Sequence, residues 1–67
     1  MSHYCVTYGD MTIEFELIRK DVKNLNLNVK PTLEVVVSAN NDVPLEHIKR
    51  FVHRKGGWIS EQLRYFD

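Results

Sequence analysis

The hydrophobic pattern of the chain changes period at Asn40-Asn41-Asp42. Before that cluster, apolar residues recur at every second position. After it, they recur three and four apart. A strand points successive side chains to opposite faces, whereas a helix returns to one face every 3.6 residues. The switch therefore predicts strands first and helices second.

Tyr4, Val6 and Tyr8 alternate with Cys5 and Thr7, and Gly9-Asp10 follows as a turn pair in which glycine can take a positive φ. Met11, Ile13, Phe15 and Leu17 then alternate with Thr12, Glu14 and Glu16. Residues 19–23 form a charged connector. Residues 24–29 alternate Asn with Leu or Val, and here the pattern outweighs the poor strand propensity of Asn. Lys30-Pro31-Thr32 reads as the next turn. It leads into a strand from Leu33 to Ala39, with Leu33, Val35, Val37 and Ala39 on one face and Val36 on the other.

In the second half, Pro44 suits a first helical turn, and Leu45, Ile48, Phe51 and Val52 make one helix face. Gly56-Gly57 reads as the terminator of that helix. Trp58, Ile59, Leu63 and Phe66 mark a second short helix, with Trp58 expected to anchor it to the sheet. The expected fold class is α+β: a four-stranded antiparallel meander (ββββ) followed by two short helices packed on one face. Residues 1–67 are expected to form a single small domain.

Size and charge narrow the functional classes. A chain of 67 residues buries only ~60% of its unfolded surface, which leaves little material for the walls of a deep cleft. Nine Lys+Arg balance nine Asp+Glu, so there is no general attraction to nucleic acid or anionic membrane. The longest apolar run is Val35-Val36-Val37, against the ~20 residues of a membrane span. The start of the sequence does not read as a signal peptide, and one cysteine, Cys5, fits a reducing compartment. A cytoplasmic location without a membrane partner is the expectation.

The residues with chemical potential are few. His47 and His53 lie six apart, so on one helix they point roughly 240° from each other and cannot chelate one ion. With His3, they read as solvent-facing. The sequence contains no HExxH, no cysteine pair and no P-loop. Cys5 reads as an inert, at least half-buried thiol, and Glu14 with Glu16 as a solvated strand face. No catalytic or metal-ligating residue is assigned, and no cofactor is expected in this chain. Lys49, Arg50, Arg54 and Lys55 crowd the first helix and form a candidate surface for nucleic acid or an acidic partner, with weak nucleic-acid binding expected. The bland alternative is a solvated face favoured by the helix C-terminus. Trp58 and Phe66 form a candidate partner interface.

Two segments carry a resemblance. One is Ile18-Arg19-Lys20-Asp21-Val22-Lys23-Asn24-Leu25-Asn26-Leu27-Asn28-Val29. The other is Val35-Val36-Val37-Ser38-Ala39 with Pro44-Leu45-Glu46-His47-Ile48-Lys49-Arg50-Phe51-Val52 and Lys55-Gly56-Gly57-Trp58-Ile59. Together they resemble the N-terminal region of the YgjP-like metal-dependent hydrolases, relatives of zincin-type metallopeptidases. The resemblance implies a charged connector, an alternating strand, a strand ending in a small residue, and a helix closing with lysine before a Trp-Ile pair. It also implies that zinc belongs to an HExxH helix in a C-terminal part with no counterpart in these 67 residues. The implied role is a non-catalytic N-terminal module that packs on a catalytic domain of the same or another chain, or presents substrate to it. A small binding protein that uses the basic helix is the alternative. The family's frequent association with type I restriction–modification genes implies a genomic setting rather than an activity.

Overall fold

A computed structural model describes residues 2–66. The elements follow in the order β1 (Ser2–Tyr8), β2 (Met11–Arg19), β3 (Asn26–Val29), β4 (Val35–Ala39), α1 (Leu45–Arg54) and α2 (Gly56–Phe66). Four strands followed by two helices is the order that the change of period predicts.

The strand order departs from a meander. It is β1-β2-β4-β3, and the sheet is mixed. β1 and β2 form an antiparallel hairpin, and β3 and β4 form another. β2 and β4 run parallel, with Glu16 opposite Val36 and Arg19 opposite Ala39. The cause lies in β4. Val35, Val36, Val37 and Ala39 are all buried, so this strand has apolar residues on both faces and belongs in the sheet interior. β3 exposes Asn26 and Asn28 and takes the edge. The connector between β2 and β3 is long enough to pass over one strand position, which lets β4 insert between them.

The core is one-sided. Ile13, Phe15 and Leu17 of β2 join Val29, Val35, Val37 and Ala39 beneath Ile48 and Val52 of α1 and Ile59 of α2. Among the described residues, no helix covers the other sheet face. Val36 lies on that face, shielded by its cross-strand neighbours Glu16 and Asn28. No helix of the described residues is long and apolar enough to cross a membrane. Arg19 ties the end of β2 to the loop before α1, donating to the carbonyls of Asn40 at 2.7 Å and Val43 at 2.6 Å.

Three local expectations change. Leu33 is not part of β4. It sits in the β3–β4 turn at φ 72°, exposed, with its N–H donating to the Lys30 carbonyl at 2.8 Å. The turn between paired Val29 and Val35 needs a left-handed residue there, and leucine supplies it against its own preference. Leu33→Gly should therefore stabilise the chain by about 0.5–1 kcal/mol, the relief of left-handed strain being partly offset by the freer unfolded chain. A urea melt that shows destabilisation would contradict that assignment of strain. The Gly56-Gly57 pair does not close α1 through a left-handed conformation. Among the described glycines only Gly9 has a positive φ, 64°, and it opens the β1–β2 turn. Lys55 closes α1, and Gly56 is the first residue of α2. Cys5, finally, is exposed rather than half-buried.

Candidate functional site

α1 stands between two surface grooves. On one flank, Leu25, Leu27, Phe51, Lys55 and Trp58 line a hollow of about 390 Å³. Its floor comes from the residues leading into and along β3, and its walls come from the end of α1 and the first turn of α2. Trp58 is 45% exposed, so it is not the core anchor expected of it. Ile59, the next residue, takes that place at 0% exposure. A helix turns about 100° per residue, so the neighbours Trp58 and Ile59 cannot both face the sheet. The smaller, branched side chain fits beneath α2, and the indole is left on the flank.

The structure brings Trp58 together with Leu25, Leu27 and Phe51 rather than with Phe66. Phe66 is partly buried against the core and meets Tyr65 edge-on, ring centroids 5.4 Å apart. Tyr65, 81% exposed, has no sequence signal that distinguishes it from a core aromatic. Leu25 and Leu27 did carry one, because an Asn-Leu alternation marks an edge strand whose apolar side is only partly covered.

On the other flank of α1, a groove of about 460 Å³ runs beside β1 and is lined by Cys5, Val6, Thr7, Lys49, Arg50 and His53. Glu46 also reaches it. The Lys49 ammonium lies 5.7 Å from the Tyr4 ring centroid. His53 is exposed, as expected, and its Nδ1 lies 2.8 Å from the Thr7 carbonyl oxygen. A carbonyl only accepts, so Nδ1 carries the hydrogen. The four basic residues singled out in the sequence are thus divided. Lys49 and Arg50 border the β1 groove, while Arg54 and Lys55 stand with Phe51 toward the other flank.

On the open sheet face, His3, Glu14, Glu16, Leu33 and Glu34 surround a shallow hollow of about 290 Å³. Glu14 faces Cys5 across β1, and Glu16 lies between His3 and Val36. His3 and His47 are also exposed.

The family model described as YgjP-like, metallopeptidase domain matches residues 23–67. Comparison with curated proteins and with solved structures gave no match. A metallopeptidase domain implies a metal, and the donors among the described residues do not form a set that fits one. Among the described residues, no group of three or more His, Cys, Asp and Glu side chains is placed to hold an ion. The match spans everything from the connector before β3 through α2, well over half of the sequence. On that extent, the chain belongs to the YgjP-like metallopeptidase domain family.

Proposed function

We propose that this chain acts as a non-catalytic module of a YgjP-like enzyme, and that the Trp58 groove seats the metal-bearing catalytic part, in cis or in trans. The observation that carries this reading is the place of the groove. Leu25, Leu27, Phe51, Lys55 and Trp58 all lie within residues 23–67, the segment that the family model matches. A half-exposed Trp flanked by Leu and Phe is the composition of an interface centre, where aromatic residues contribute most of the binding energy. The polar rim is supplied by Lys55.

Trp58 is the sole tryptophan, so its fluorescence reports the groove alone. Adding the HExxH-containing part of a YgjP-like enzyme should shift its emission to the blue in a saturable way. Leu27→Lys should weaken that binding by about tenfold or more, because it places a charge in a desolvated contact. Unchanged emission together with no heat of mixing would overturn the proposal. Effects on hydrolysis by the added part would then separate packing from substrate presentation.

A further inference from the structure

We propose that the outer edge of β1, with the groove between it and α1, takes an extended acidic peptide segment as a fifth strand of the sheet. This surface is independent of the Trp58 groove. β1 lies outside residues 23–67, the part matched to the family.

Among the described residues, β1 is the terminal strand of the sheet and pairs only with β2. Its seven residues pair one to one with Leu17 down to Met11, without a bulge. The turn has Gly9 at φ 64°, and Asp10 is not among the positive-φ residues, which is the type II′ pattern of a two-residue hairpin. Such a hairpin closes on a hydrogen-bonded pair, here Tyr8 with Met11. Alternation then assigns the backbone groups of Tyr4, Val6 and Tyr8 to β2, and turns those of His3, Cys5 and Thr7 outward. An independent contact agrees. The Thr7 carbonyl points away from β2, since His53 Nδ1–H reaches it at 2.8 Å. His53 thus marks one end of the available edge, and the N–H groups of His3, Cys5 and Thr7 with the carbonyls of His3 and Cys5 remain for a further strand.

Edge strands are commonly protected by Lys, Pro or a bulge. The sequence SHYCVTY has none of these. Pairing to such an edge beside a helix is a recurring way to bind extended peptides, with backbone hydrogen bonds giving affinity and alternate side chains giving selectivity. Here the alternate side chains on the α1 side meet Lys49 and Arg50. Among the described residues Glu46 is the one acid lining that groove against Lys49 and Arg50, so this wall is basic on balance and favours carboxylates.

The same charges disfavour a second copy of this chain. Antiparallel β1–β1 pairing places the two helical layers on one face of a continuous sheet. Each α1 then presents Lys49 and Arg50 to the other.

The test uses a capped heptapeptide of alternating Thr and Glu, titrated into the isotope-labelled chain and followed by amide NMR. Saturable shifts and slowed hydrogen exchange at His3, Cys5 and Thr7 are expected. N-methylation of peptide residues on the pairing edge should weaken binding by about tenfold or more, while N-methylation of the intervening residues should not. Lys49→Glu with Arg50→Glu should cause a loss of similar size, and both residues lie outside the buried core. Equal binding of the two N-methylated peptides would overturn the proposal, because it would reduce the contact to charge alone. So would an oligonucleotide that binds the same groove more tightly than the peptide. Concentration-dependent protection of β1 without any peptide would overturn it in favour of self-pairing.

Discussion

Phe15→Ala is expected to cost about 3–5 kcal/mol, and Trp58→Ala less than ~1 kcal/mol, although tryptophan is the larger residue. The difference follows from where the rings lie. Phe15 is 1% exposed at the middle of β2, between Tyr4 on the neighbouring strand and the helices above it. Tyr4 and Phe15 hold their ring centroids 6.0 Å apart. Truncation there leaves a void in a thin core whose neighbours can collapse only partially. A domain of this size has stability of the same order, so the variant should be largely unfolded at room temperature. Trp58 loses less on truncation, because the residue is already 45% exposed. Urea melts of the two variants decide the matter. A Trp58→Ala shift as large as that of Phe15→Ala would return the indole to the core and remove the basis of the docking proposal.

The succession of strands and helices was legible because period is a local property. Met11 to Leu17 alternate cleanly, and every inward residue of that run is buried or partly buried. Ile48 and Val52 were likewise placed on the buried face by spacing alone. Strand order was not local in this way. The expectation of a meander pairs each strand with its successor, and β4 instead lies between β2 and β3. The decisive sign was present in Val35-Val36-Val37, since a strand with apolar residues on both faces belongs between others. The site was less legible. Spacing put Lys49, Arg50, Arg54 and Lys55 on one helix, but only the three-dimensional positions of β1 and β3 show that they serve two different flanks. The place of Trp58 is illegible in the sequence for a related reason. Hydrophobicity ranks it as core, whereas the buried positions in that turn of α2 go to Gly56 and Ile59.

Gly56 supports the second large prediction, because the structure needs it for space rather than for conformation. Its φ is not positive, and as the first residue of α2 it occupies a position where alanine is ordinarily the better helix former. A Cβ added there would overlap the ring of Tyr8, at Cγ, Cδ1 and Cε1. The overlap involves the body of the ring rather than its flexible end, and the ring is itself packed edge-on to His53, centroids 5.6 Å apart. Tyr8 closes the β1–β2 hairpin, so moving it strains the contact that pins this hairpin to the helices. Gly56→Ala should therefore destabilise the chain by about 1–3 kcal/mol, despite a gain in helix propensity of up to ~1 kcal/mol. In a Tyr8→Ala background the clash is absent, and the same substitution should be neutral or mildly stabilising. Gly9→Ala provides the contrast. Apart from its two chain neighbours, no described atom stands within 4 Å of an added Cβ, so its cost comes from a φ of 64° rather than from a packed ring. A double-mutant cycle on Tyr8 and Gly56 reads the coupling directly. Equal costs of Gly56→Ala with and without the Tyr8 ring would show that glycine is needed there for its backbone, and that the hairpin does not bear on the α1–α2 junction as described.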